Sequence, residues 1–135
     1  MQRMQSGVSL MEVLIVVALV GMLAGIAYPS YSEMVRKAAR TDIAGILYES
    51  AQHLEQHHSR TGSYLDTDAS IVLLPDGNAH YRLHVRREAD SYLLSAIRRP
   101  GAAMAVDSCG DFELDQRGVR GNPGGADAGK SCWGG

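Results

Sequence analysis

The chain has 135 residues and a mass of 14.5 kDa, which leaves room for one small globular domain once a membrane segment is set aside. Its formal net charge of −2 and pI near 6.2 exert no global pull toward nucleic acid. No P-loop, Gly-x-Ser-x-Gly or dinucleotide fingerprint is present, and the scattered Ser, His and Asp have no triad spacing, so an enzyme is not expected.

The first element is an apolar run. From Val8 to Tyr28 only Ser9 and Glu12 are strongly polar, and as a helix this stretch spans about 31 Å at ~1.5 Å per residue, enough to cross a bilayer's hydrocarbon core. A carboxylate inside such a segment costs roughly 2.5 to 3.5 kcal/mol on insertion scales, so Glu12 needs a partner. A cut after Gly7 would supply one, because it creates an α-amine on Val8 one helical turn before Glu12. A competing reading is an ordinary secretory signal peptide cleaved after Gly25-Ile26-Ala27. The N-terminal residue of the mature chain separates the two.

Gly21, Gly25 and Pro29 recur every four residues and share one helical face. Gly-xxx-Gly lets helices approach closely in lipid. Pro29 cannot donate to the carbonyl of Gly25, so the helix is weakest between Gly21 and Pro29. Beyond it the pattern turns amphipathic, with Val35, Ala39, Ile43, Ile46, Leu47, Ala51 and Leu54 at helical spacing. Glu33, Arg36, Lys37, Arg40, Asp42, Glu49 and Glu55 are assigned to other faces. The helix is predicted to run to about His58 and to stop at Ser59-Arg60-Thr61-Gly62-Ser63.

Three or four short strands are predicted next. Ile71 to Leu74 is apolar and ends at Pro75-Asp76-Gly77-Asn78. His80 to Arg86 alternates, with Tyr81, Leu83 and Val85 on one side and His80, Arg82, His84 and Arg86 on the other. Ser91 to Ile97 reads as its antiparallel partner and Phe112 to Leu114 as a shorter strand, the short loops favouring a meander. From Gly118 onward the chain is Gly-rich and would wander. In an exported chain the pair Cys109 and Cys132 most simply forms one disulfide, and closing that loop of about 24 residues is worth roughly 3 kcal/mol, more than any contact expected within the loop.

Two sets of side chains invite chemistry. His53 and His57 are one turn apart, but in His-Leu-Glu-Gln-His the Glu is misplaced for a zinc protease, and His80 and His84 share an ordinary polar strand face; no metal and no cofactor are expected. Arg82, Arg86, Arg87, Arg98 and Arg99 could line one side of the hairpin, an arrangement that is usually a solvated face. Nucleic acid is therefore not the expected partner.

The basic leader with Arg3, the Gly7 boundary, Glu12 five positions into the mature chain and Pro29 closing the run resemble the class III signal of type IV pilins. Val8 stands where that family usually has Phe. Gln52 to Tyr64, and the string Cys109-Gly110-x-Phe112-x-Leu114-Asp115-x-x-Gly118-Val119-Arg120-Gly121 ending in Cys132-Trp133, resemble PilE-like minor pilins. The resemblance implies an α+β pilin fold: a long N-terminal helix, transmembrane in its first half, packed on a three- to four-stranded antiparallel sheet with a C-terminal disulfide-bounded loop. It divides the chain into a leader (1–7) removed by prepilin peptidase, a membrane and filament-core helix (8–29) and a globular domain (30–135).

The same resemblance implies N-methylation of Val8 and assembly through Glu12, Gly21, Gly25 and Pro29. The implied partners are the major pilin, other minor pilins and the inner-membrane pilus machinery. The chain would wait in the bacterial inner membrane with its C-terminal domain in the periplasm, and then enter an extracellular pilus. The implied role is a minor pilin that primes assembly and joins tip subunits to the major pilin. A type II secretion pseudopilin, a major pilin and a DNA-uptake pilin are the alternatives.

Overall fold

The computed structural model describes residues 7–126 and 131–134. Element order is α1 (Leu10–Thr61), β1 (Tyr81–Arg87), β2 (Tyr92–Arg98), β3 (Phe112–Asp115) and β4 (Arg120–Gly121). The chain divides into two compact units, Met1–Val35 and Arg36–Gly135.

In the first unit the described residues are almost wholly the N-terminal part of α1. Pro29 lies inside this helix, and Ser32 Oγ donates to the Pro29 carbonyl at 3.0 Å. Large apolar side chains from Val8 to Tyr31 are exposed in the isolated chain. A segment of this length and composition is able to cross a membrane, and apolar surface of this extent is stable only when lipid or other helices cover it.

In the second unit a single core forms between the later turns of α1 and the sheet. Ala39, Ile43, Ala44, Leu47 and Leu54 from the helix meet Tyr81, Leu94, Ala96, Phe112 and Leu114 from the strands. Four strands pair antiparallel in the order β1-β2-β3-β4, as a meander joined by short turns must. The helix runs to Thr61, three residues past the expected end. Gly62 follows at φ +76°, the left-handed conformation that a helix stop requires, and its N–H donates to the His58 carbonyl at 2.7 Å.

Three expectations are corrected. Ile71 to Leu74 forms no strand: Val72 and Leu74 lean on the core while Ile71 and Leu73 are 69% and 87% exposed. The alternation is that of a strand, but the segment is held by other bonds, with Val72 N–H donating to Asp66 Oδ1 at 3.0 Å and Thr67 bridging to Ser70. Burial along β1 falls off from Tyr81 through Leu83 to Val85, which is 38% exposed, because β1 is an edge strand. The short strand β4 arises in the stretch expected to wander.

The C-terminal region is packed as well as tethered. Cys109 and Cys132 form the disulfide with Cα atoms 5.6 Å apart. Trp133 is buried edge-on to Phe112 at 5.1 Å, and its Nε1–H donates to Asn122 Oδ1 at 2.8 Å. Gly110 lets the chain cross itself here. It sits at φ +68°, and a Cβ at that position would lie 2.5 Å from both the Pro123 carbonyl oxygen and the Gly125 nitrogen. Asp127 to Lys130 lie outside the described residues.

Candidate functional site

The N-terminal unit holds Gly7, Val8, Glu12, Gly21, Gly25 and Pro29. Glu12 lies in the first turn of α1, where a carboxylate faces the positive end of the helix dipole, and it lines a shallow apolar groove with Val8, Val13, Val16 and Val17. A Cβ added at Gly21 or Gly25 would meet nothing within 4 Å. Among the described residues, then, nothing packs against these two positions. Arg3 lies outside the described residues.

The globular unit sorts the five arginines of the hairpin into two groups. On β1 the side chains of Arg82, His84 and Arg86 project from the outer face, opposite Ile97, Ser95 and Leu93 in register. Arg87 and Arg98 belong to the other face, which corrects the expectation that all five line one side. Arg87 forms a two-pronged pair with Asp66, at 2.8 Å to each oxygen, and reaches the Tyr64 carbonyl at 3.3 Å. The Arg87 guanidinium, helped by the Val72 N–H, holds the Asp66 carboxyl down at about 2. Arg98 donates from Nε to Asp111 Oδ1 at 3.0 Å and reaches the carbonyls of Ala105 and Asp107 at 3.2 and 3.4 Å.

Arg82, Arg86 and Arg99 have no carboxylate partner among the described residues. Arg99 is nonetheless anchored, its Nε donating to the Asn78 carbonyl at 2.8 Å. Arg82, His84, Ile97, Arg98, Arg99 and Pro100 surround an open cleft of about 380 Å³ at the end of the hairpin away from its turn. The turn itself carries Glu88 and Asp90.

The histidines do not assemble a ligand set. His57 is buried with both ring nitrogens engaged, Nε2 with the Leu65 carbonyl at 2.8 Å and Nδ1 with Ser70 Oγ at 3.1 Å. His53 lies 3.9 Å from Glu49 on the exposed side of α1. Among the described residues no group of three or more His, Cys, Asp or Glu side chains could hold a metal ion.

One pair went unread in the sequence. Arg40, assigned to a face other than the apolar stripe, is buried, and it grips Asp107 through Nε at 2.9 Å and an NH2 group at 2.6 Å. Asp107 also accepts the Cys109 N–H at 3.2 Å, so α1 is tied to the disulfide region. Burial works against ionising Asp107, but the Arg40 hydrogen bonds and the Cys109 N–H outweigh it and hold the carboxyl below its usual range. The available signal was spacing: Arg40 falls three, four and seven residues before Ile43, Ala44 and Leu47, inside the apolar stripe. A cation at such a position needs a buried acid.

Comparison with known proteins decides the family. A model of the type IV minor pilin ComP, DNA uptake sequence receptor, matches residues 29–113, more than half of the chain. The chain belongs to that type IV minor pilin family. The prokaryotic N-terminal methylation motif matches residues 2–28 of this pilin, covering the span from the basic leader through Tyr28. A type IV pilin from Shewanella oneidensis is 30% identical, with a TM-score of 0.52, over 70% of this chain and 98% of its own. The non-core minor pilin PilV of Neisseria meningitidis has the same fold, with a TM-score of 0.54 at 19% identity over 75% of this chain and 96% of its own. No curated protein sequence matches the pilin. Its class is that of structural subunits rather than enzymes, anchored in a membrane by the apolar helix and later built into a pilus.

Proposed function

We propose that this minor pilin binds DNA for uptake, through the outer edge of the β1–β2 hairpin. The observation that carries the reading is the set Arg82, Arg86 and Arg99, basic side chains at one edge without carboxylate partners among the described residues, in a chain whose family model is described as a DNA uptake sequence receptor. A net charge of −2 argued against nucleic acid, but net charge averages over pairs that cancel locally, and a partner responds to the local field. Three phosphate contacts correspond to a slope of log affinity against log salt of about −2.7. Fluorescence anisotropy of a labelled duplex with the full chain in detergent micelles measures this slope. The triple variant Arg82→Gln, Arg86→Gln, Arg99→Gln is expected to flatten it and weaken binding. Wild-type affinity in the triple variant would refute the reading.

Delivery of that surface to the cell exterior follows from the N-terminal unit. Prepilin peptidase cuts after Gly7 and Val8 becomes the N-methylated terminus; mass spectrometry of the mature chain is expected to find Val8 first. Glu12 then meets the terminal amine of a neighbouring subunit, while Gly21 and Gly25 allow close helix contact with the major pilin and other minor pilins. The disulfide favours a globular unit outside the cytoplasm, in the periplasm before the pilus machinery draws the subunit into the filament.

The exposed Ile71 and Leu73 favour a second reading, in which the subunit primes assembly and joins tip subunits to the major pilin through lateral apolar contact. Loss of piliation in a deletion strain, restored by the arginine variant, would mark that role as separate from DNA binding.

A further inference from the structure

The cleft at the open end of the hairpin has a composition that a contact to a running phosphate backbone does not need. Its lining is basic at Arg82 and Arg99 but also includes Ile97, 43% exposed, and Pro100. Arg99 is held in advance by the Asn78 carbonyl through Nε while its terminal nitrogens have no partner among the described residues. A guanidinium fixed but not neutralised has already lost much of its side-chain freedom, so an oxyanion entering the cleft meets an ordered fork. Arg98, the third cation of the lining, is directed away by Asp111 and two carbonyls.

The surrounding charges limit how much nucleic acid this surface can follow. Arg82 to Arg86 span about 14 Å at ~3.4 Å per residue. Beyond Arg86 the turn presents Glu88 and Asp90. Across the outer face, Glu113 follows Ser95 in register, two strands from His84 and so about 10 Å away. At about 10 Å, Glu113 lies a little beyond one Debye length of His84 at physiological salt, so these acids act on phosphates that pass close to them rather than on the cleft itself. A duplex running from the cleft toward the turn, or across the sheet toward β3, would carry its phosphates past these acids. A strand that ends in the cleft would not.

We propose that the cleft takes the 5′-terminal nucleotide of a DNA strand, with its phosphomonoester between Arg82 and Arg99 and its sugar and base against Ile97 and Pro100. This rests on the DNA reading above and narrows it to strand ends. A terminal phosphomonoester carries more charge than a backbone diester and is the group that an unneutralised guanidinium pair rewards most.

The test uses the full chain in detergent micelles and three probes of one sequence: a duplex with 5′-phosphates, the same duplex with 5′-hydroxyls, and a covalently closed circle. The phosphorylated ends are expected to bind about tenfold tighter than the hydroxyl ends, the scale of one charge-assisted contact, with the circle no better than the hydroxyl duplex. Deoxyadenosine 5′-monophosphate should compete for the phosphorylated ends and deoxyadenosine should not, which separates the phosphate from the base. Arg99→Gln should erase the preference, and Ile97→Ser should reduce it while leaving the thermal melt of the protein in place. Equal affinity for all three probes would overturn the end-binding proposal and leave the DNA reading standing; no binding to any probe would overturn both.

Discussion

Asp107→Ala is the substitution whose cost the structure defines most sharply. It removes both oxygens that Arg40 holds and the acceptor for the Cys109 N–H, and it leaves a guanidinium in a buried site. Breaking a buried pair from one side costs about 3 to 5 kcal/mol, and for a domain of this size each kcal/mol shifts Tm by about 4 to 8 °C. The expected fall in Tm is therefore on the order of 12 °C or more, read by circular dichroism on the full chain in micelles. Arg40→Met should behave differently. Asp107 without Arg40 is a buried carboxyl that takes up a proton at higher pH than in the native pair, so the cost of Arg40→Met begins to shrink at a higher pH than that of Asp107→Ala, which shrinks only as Asp107 of the native chain itself protonates. The double variant Arg40→Met, Asp107→Ala should lose less than the sum of the two, because no charge is left behind. A loss below about 1 kcal/mol for Asp107→Ala, or strict additivity in the double variant, would refute the pairing argument.

Glu12→Gln should leave cleavage and methylation intact while lowering incorporation into sheared pili, scored by immunoblot; unchanged incorporation would remove Glu12 from the assembly mechanism. Gly110→Ala places a Cβ against Pro123 and Gly125 at a positive φ, and should cost about 1 to 3 kcal/mol in denaturant unfolding. Asp66 has a folded-state pKa depressed from 3.8 to about 2, so its contribution is complete above the unfolded value and is lost as pH falls from about 4 to 2. Asp66→Asn should accordingly shrink the difference in stability between pH 7 and pH 2, a change that a pH series of melts would detect. Reduction of the disulfide should destabilise the globular unit by roughly 3 kcal/mol, seen as a lower midpoint in urea with dithiothreitol.

Elements governed by periodicity were legible in the sequence. The apolar stripe from Val35 to Leu54 specifies a helix that must be covered, and the alternation at His80 to Arg86 with its partner run Ser91 to Ile97 specifies strands able to cover it, each within one residue of the observed β1 and β2. Elements governed by partners were not. Ile71 to Leu74 alternates as a strand does, yet pairing needs a neighbour with free backbone groups. Asp66 and Ser70 hold the segment another way. The region after Gly118 looked too poor in apolar residues to order, but Asp115 accepts the N–H groups of Arg117 and Val119 and shapes the turn that brings Arg120 and Gly121 back beside β3.

Charge was the least legible property, for a related reason. Arg40, Arg87, Arg98 and Arg117 each find an aspartate, Asp107, Asp66, Asp111 and Asp115 respectively, and each of these pairs cancels within about 3 Å. None joins neighbours in sequence closer than two residues, and three join residues at least 13 apart, so counting along the chain cannot see which charges survive. Among the described residues, the survivors at the hairpin edge are Arg82, Arg86 and Arg99. A chain that is slightly acidic in total can thus present a basic edge, because the acids that balance the total are spent on fixing the fold or sit at the hairpin turn and on the neighbouring strand, where they bound that edge.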